Sequence, residues 1–252
     1  MKNQRSYLLL MLLFSIGIFH QVCFAQGTIF LNKYKRPIKD VTKYEPRYFQ
    51  TTEESKSNIR VAKTYNLDSV LVQEKVEYLG KKGNVLQYSL KDFDQNSRAV
   101  IRVYRVDNSS KSTVDSVFHS NGILAALKRT ANWQLVEEKR WDNSGNPLDL
   151  GLFREASIVG GPEAWDNFLA SNLNYPSEAR SDRAEGMVYL AFQLDEEGRI
   201  SEIEVMNPED VHPALANEAL RVMKKYQKNF SPKVENGNPV KTEMYLPIRF
   251  KL

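Results

Sequence analysis

Histidine and cysteine are the side chains best suited to nucleophilic, acid–base or soft-metal chemistry, and this 252-residue chain has three of the first and one of the second. Cys23 and His20 lie in an apolar N-terminal stretch; the other two histidines are His119, in the phrase His119-Ser120-Asn121-Gly122, and His212, directly before Pro213. Nucleophilic catalysis needs a base beside the nucleophile and a third group to orient that base. Neither histidine stands in such a motif, and the two read as a turn decoration and a helix start. The acidic run Asp195-Glu196-Glu197 lacks the spaced oxygen ligands of a calcium loop and fits a hairpin turn. Gly160-Gly161 precedes Pro162, without the lysine or the preceding apolar strand of a phosphate-binding loop. The expectation is a binding protein, not an enzyme, with no catalytic residue, no metal site and no cofactor.

A different chemistry, that of the main chain, is written in the last twelve residues. Thr242, Met244, Leu246, Ile248, Phe250 and Leu252 alternate with Lys241, Glu243, Tyr245, Arg249 and Lys251, the pattern of a strand with one face covered. Pro247 interrupts this run and cannot donate to a ladder, so the strand is expected at a sheet edge with that position outward, or bulged there. An edge carries unpaired N–H and C=O groups that an extended peptide can satisfy with little regard to its sequence. Glu243, Met244, Tyr245, Leu246, Pro247, Ile248 and Arg249 are therefore the expected partner-binding segment. The alternative is an edge merely guarded by Pro247 and the flanking charges.

The elements that must position this strand are legible upstream. Gly160-Gly161-Pro162 opens a helix whose Trp165, Phe168, Leu169 and Leu173 share a face, and Tyr175-Pro176 ends it. A short turn follows over 177–181. Residues 187–194 alternate, Asp195 to Gly198 turn, and 200–206 return as a second strand. His212-Pro213 opens a longer helix with Leu215, Ala219, Val222 or Met223, and Tyr226 on one side and Glu218, Arg221, Lys225 and Lys228 on the other. Lys224, Lys225 and Lys228 suit its negative C-terminus. These elements make an α+β domain with helices on one face of an antiparallel sheet, spanning 153–252.

Residues 26–150 show no long helical period, only short alternating runs broken by polar turns, which reads as a β-rich hairpin or meander module. Tyr78 with Gly83, Phe118 with Gly122 and Trp141 with Gly145 place a glycine where a hairpin needs positive φ; Tyr104 to Asn108 is a degenerate fourth. These units resemble MORN-like repeats, and unrelated hairpins are the alternative.

The composition, 42% hydrophobic and 26% charged, is that of a folded protein. Residues 26–150 carry 21 basic against 15 acidic residues and 151–252 carry 12 against 16, with the signs interspersed, so no nucleic-acid partner is expected. Lys2 and Arg5, an apolar run from Tyr7 to Phe19, and Cys23-Phe24-Ala25 form a secretory signal peptide over 1–25. The alternative is a retained anchor over 7–25. With Cys23 removed, the mature chain would have no thiol for a disulfide.

The order Tyr175-Pro176-x-x-Ala179-Arg180, Gly186-x-Val188-x-x-x-Phe192, Asp195-x-x-Gly198, Glu218-Ala219-Leu220, Ser231-Pro232, Asn236-Gly237-x-Pro239-Val240 and Leu246-Pro247-x-x-Phe250 resembles the TonB C-terminal domain. Tyr175, Pro176, Gly186, Gly198, Pro232 and Gly237 carry the motif. Phe230 departs from it, standing where such domains commonly place a tryptophan. The resemblance implies an energy transducer that grips the TonB box of an outer-membrane receptor by adding it as a strand. It also implies inner-membrane motor proteins as partners if an anchor is kept, and a periplasmic or inner-membrane location. The long proline-rich spacer of TonB transducers is missing, which leaves open a soluble envelope adaptor without energy coupling. An open edge also allows a homodimer.

Overall fold

A computed structural model describes residues 28–55, 57–226 and 230–252. The leader over 1–25 and Lys228 of the expected helix face lie outside them.

Short alternating runs and frequent turns give the N-terminal half one antiparallel sheet of ten strands. They are β1 (Ile29–Leu31), β2 (Pro37–Ile38), β3 (Tyr48–Ser55), β4 (Ile59–Asn66), β5 (Leu71–Leu79), β6 (Val85–Phe93), β7 (Val100–Asp107), β8 (Ser112–Phe118), β9 (Leu124–Ala131) and β10 (Gln134–Arg140). From β3 to β10 each strand pairs with the next, and the order ends in β3-β1-β2. Few of its side chains are fully buried, Leu31, Val72, Val103 and Val106 among them. Polar cross-strand pairs fill much of the rest: Arg60 and Glu77, opposite each other on β4 and β5, meet at 3.1 Å, and Arg102 binds Asp115 through two bonds of 2.8 Å.

The turns share one construction. Gly83, Gly122 and Gly145 sit at φ +77°, +82° and +84°. In each, the glycine N–H donates to the carbonyl three residues back, and that residue's N–H donates to the carbonyl four residues ahead, at 2.7 to 3.0 Å. The same pattern joins Asn32 to Arg36 and Asn66 to Val70, with Lys35 (φ 57°) and Ser69 (φ 62°) in the left-handed position. There an asparagine carboxamide makes up for the missing glycine: Asn66 Oδ1 accepts the N–H of Asp68 at 3.1 Å and of Val70 at 2.8 Å. Tyr104 to Asn108 is no fourth member. Most of it is strand β7, and the following turn instead uses Asp107 Oδ1 to accept from Ser109 and Ser110.

After a one-turn 3-10 helix at Leu150–Leu152 the chain adds β11 (Ser157–Ile158), α1 (Gly161–Asn172), α2 (Ser177–Ser181), β12 (Gly186–Leu194), β13 (Ile200–Val205), α3 (Pro213–Lys225), β14 (Phe230–Ser231), β15 (Lys233–Glu235), β16 (Asn238–Val240) and β17 (Thr242–Phe250). The three-stranded sheet has the order β13-β12-β17. Its inner face, Val188, Leu190, Phe192, Leu194, Leu246, Ile248 and Phe250, packs on Trp165 of α1 and on Leu215, Ala219 and Met223 of α3. An aromatic cluster fixes the helices: Trp165 lies edge-on to Tyr226 at 5.2 Å, and Tyr226 edge-on to Phe230 at 5.5 Å. Phe230 thus fills an aromatic place in the core. The fold is α+β, with helices on one face of an antiparallel sheet.

Two sequence expectations are corrected. Glu218 is expected opposite the apolar stripe of α3, but it is buried beside it, and its Oε1 accepts the Asn174 N–H at 2.7 Å. Leu252 does not continue the inner face, since β17 ends at Phe250 and Leu252 is exposed.

Candidate functional site

Strand β17 pairs with β12 over nine consecutive residues without a bulge, and among the described residues nothing pairs with its other side. Side chains alternate as the sequence requires: Leu246, Ile248 and Phe250 are buried, whereas Glu243, Tyr245, Pro247 and Arg249 are exposed.

The direction of the main chain follows from the neighbouring strand. Tyr189 is opposite Pro247, yet its N–H donates to Asn207 Oδ1 at 3.0 Å and its carbonyl accepts from Met206 at 2.9 Å, both on the β13 side. The Tyr189–Pro247 pair is therefore a non-hydrogen-bonded one. It follows that the backbone groups of Pro247, and of Glu243, Tyr245 and Arg249 at every second position, point to the open edge. The proline lacks an N–H at the one place where β12 does not ask for it. The edge presents donors at Glu243, Tyr245 and Arg249 and acceptors at all four positions. Met244, Leu246 and Ile248 serve the edge only by anchoring it, through inner side chains and bonds to β12.

Other edges among the described residues are interrupted or short. Strand β10 carries a register shift between Leu135 and Glu137, and its Arg140 carbonyl already accepts the Leu148 N–H at 2.9 Å. Strand β13 is irregular opposite Ala191 and Gln193, with Glu202 at φ 50°. Strand β2 has two residues. Sheets blunt an edge with a bulge, a cover, a proline or charges; among the described residues β17 has no bulge and no cover, and it carries Pro247 and the charges of Glu243 and Arg249.

The exposed face of β17 is polar and weakly charged. The Tyr245 hydroxyl donates to the Glu243 carboxylate, and burial, followed by that bond, pushes the phenol up to about 12. Tyr245 is therefore a neutral donor at physiological pH. Arg249 makes no ion pair within the described residues.

Of the motif residues Tyr175 and Gly186 meet this strand at Phe250, and the others shape the elements around it. Tyr175 lies edge-on to Phe250 at 5.9 Å, and its hydroxyl donates to the Ala184 carbonyl. Pro176 caps α2. Gly198, at φ +78°, brings the β12–β13 turn onto β14: Phe230 N–H donates to the Gly198 carbonyl at 2.9 Å, and a Cβ on Gly198 would stand 1.8 Å from the Phe230 oxygen. Gly186 has ordinary φ and room for a Cβ, 3.7 Å from Val211. Pro232 separates β14 from β15, and Gly237, with Asn236 at φ 51°, makes the tight β15–β16 turn.

The histidines are occupied elsewhere. His212 Nδ1 accepts the Ala214 N–H at 3.2 Å as the cap of α3, with Nε2 3.1 Å from Asp182, and His119 Nε2 is bonded to the Trp141 carbonyl at 2.9 Å. His119 borders a cleft of about 570 Å³ shared by the N-terminal sheet and the β15 segment. Its charged lining is largely self-paired, through Arg102–Asp115, Lys128–Glu155 and Lys233–Glu235. Among the described residues no three His, Cys, Asp or Glu side chains group to hold a metal.

Sequence reasoning overlooked the contact that the N-terminal turn Asn32–Arg36 makes with the outer face of the C-terminal sheet. Lys33 pairs with Glu204 at 2.6 Å, the Tyr34 hydroxyl bonds the same carboxylate at 3.0 Å, and Arg36 lies over the Tyr189 ring at 4.9 Å. No local signal announces a contact between residues so far apart in the chain.

Among the curated proteins none matches this chain. Residues 171–252 match the family model described as the Gram-negative bacterial TonB protein C-terminal. That span holds α2, the β13-β12-β17 sheet and α3, and with its motif residues placed as above the chain carries a TonB C-terminal domain.

Proposed function

We propose that this TonB-family protein works in envelope transport by binding the TonB-box segment of an outer-membrane receptor as a fourth strand on β17. The domain match carries the transport setting. The unbulged open edge, with Pro247 turning its missing N–H outward, carries the mode of recognition. Five or six main-chain bonds at a net ~0.5–1.5 kcal/mol each, less the cost of ordering the peptide, give an affinity of micromolar order. The two working units are 26–150 and 153–252, on the periplasmic side, with 1–25 as the export signal. Among the described residues no helix is long and apolar enough to cross a membrane.

Titration of the full chain with fluorescent TonB-box peptides tests this reading. Saturable binding in the micromolar range is expected, and no binding at millimolar peptide would refute it.

The second reading is an envelope adaptor without energy coupling. It is favoured by the docking of the Asn32–Arg36 turn on the C-terminal sheet, which ties the two units directly together where a transducer would have a long spacer. N-terminal sequencing of the native protein bears on energy coupling: a start at Gln26 fits both readings of a periplasmic binder and leaves no anchor over 7–25 to transmit force, and retention of residues 1–25 supports an inner-membrane transducer.

A further inference from the structure

We infer that Pro247 sets the affinity of the peptide site: it withholds the central donor of the β17 edge, so that one carbonyl of the bound strand has no partner and the strand is held loosely enough to be released. This role rests on β17 as the receiving edge.

In an antiparallel pair the residues of a strand turn their N–H and C=O groups alternately to one neighbour and to the other side. Two positions of β12 fix the phase of β17. Tyr189, opposite Pro247, gives its N–H to Asn207 Oδ1 at 3.0 Å and takes the Met206 N–H on its carbonyl at 2.9 Å. The Met187 carbonyl, opposite Arg249, accepts from Asn207 Nδ2 at 2.9 Å. Both residues turn away from β17, so the bonds between the strands belong to Met244, Leu246 and Ile248. Donors toward the open side come from Glu243, Tyr245 and Arg249. Between the last two stands the proline nitrogen, whose ring carbon occupies the place of the proton.

The gap cannot slide along the edge. Strand β17 pairs with β12 from Thr242 to Phe250 without a bulge, and Leu246, Ile248 and Phe250 are 9%, 0% and 3% exposed. A shift of one residue would carry these side chains to the outer face and turn the proline toward β12.

A docked peptide meets the gap whichever way it runs. In either orientation the carbonyls it turns to β17 come from every second residue. The one facing Pro247 finds no N–H, while those on either side are met by Tyr245 and Arg249. Pro247 is exposed, so this carbonyl keeps water, and the loss is that of one net bond rather than of a dry acceptor. One such bond is worth about two- to tenfold in affinity, and among variants of one interface the difference falls mainly on the rate of dissociation. The partner that fits without loss is an extended segment whose carbonyl at this position is already bonded within its own chain.

The test combines a change in the peptide with one in the protein, the full chain being held too dilute for two copies to pair while TonB-box peptides are titrated in. In the peptide each amide bond in turn becomes a trans carbon–carbon double bond, which keeps the shape and deletes a carbonyl and an N–H on opposite sides. In the protein Pro247→Ala supplies the missing donor. Wild type is expected to show one silent bond inside the paired stretch, the bond whose carbonyl faces Pro247, while every other replacement there weakens binding. Pro247→Ala should bind the all-amide peptide about two- to tenfold more tightly, through slower dissociation, and should lose that gain when the silent bond is the one replaced. Pro247→Val serves the same purpose if the alanine variant does not fold by circular dichroism. An unchanged affinity, a gain that survives replacement of the silent bond, or a wild-type scan with no silent bond would overturn the inference. Absence of wild-type binding to any peptide would instead defeat the underlying reading of β17, and the inference with it.

Discussion

Glu218 and Gly198 are single residues on which the shape of the C-terminal domain depends. The Glu218 carboxylate binds Arg221 Nε at 2.7 Å and accepts the Asn174 N–H, which joins α3 to the chain leaving α1. The Arg221 guanidinium, and then the Asn174 bond, hold its carboxyl below the usual carboxylate range. A lowered folded pKa means stability that is present above the unfolded value, about 4.3, and is lost as pH falls through the folded one. Glu218→Ala is expected to cost about 1–3 kcal/mol at pH 7 by removing the charge-assisted bonds to the Asn174 N–H and Arg221. In urea titrations the gap to wild type should narrow below pH 4, and a gap independent of pH would contradict the assignment. Gly198→Ala is expected to cost about 3 kcal/mol or more, because it adds left-handed strain to a backbone collision with Phe230. Gly186→Ala, with ordinary φ and open space, should lie within about 1 kcal/mol of wild type. Thermal melts compare the two.

At this scale the sequence was partly legible. Alternation and proline marked the buried and exposed positions of β17 correctly from Thr242 to Phe250. Glu218 escaped because a helical wheel separates faces but cannot show a backbone N–H arriving from another element. Lys35 and Ser69 take the left-handed turn position without a glycine to mark it. An asparagine three residues earlier is the physical equivalent, since its side chain bonds the turn's own N–H groups.

Strand β17 is the element that decides the proposed function, and Pro247 is the feature that makes it usable without making it sticky. A donor is missing in the middle of the exposed edge, so two copies pairing there would lack a bond that an unbroken strand would form. Pro247→Val restores that donor without disturbing β12, whose bonds to β17 fall on the alternate residues. The expected outcome is a folded protein with concentration-dependent self-association by analytical ultracentrifugation. A variant as monodisperse as wild type would mean that the edge is protected by something other than the proline. The helices and strands around β17 were readable because each has its own punctuation: Pro162 and Pro213 at helix starts, Gly198 in the hairpin turn, Asn236-Gly237 before the last strand.

Across the whole molecule, the ten-stranded sheet and the C-terminal domain meet through side chains about 170 positions apart, such as Tyr34 with Glu204 and the Lys39 N–H with Glu209 at 2.9 Å. Periodicity reports the face an element buries and says nothing of which distant segment covers the other face, so this contact could not be read in advance. Its consequence is that the outer face of the sheet is partly covered over β12 while the β17 edge stays open. An incoming peptide therefore has one regular edge to join. Amide hydrogen exchange with and without a TonB-box peptide measures this most directly. The Tyr245 and Arg249 amides, which point outward, should slow on binding, while Met244 and Leu246, already bonded to β12, should change little. Peptide binding that leaves Tyr245 and Arg249 exchanging at their free rates, or that protects β10 or β13 instead, would contradict the account.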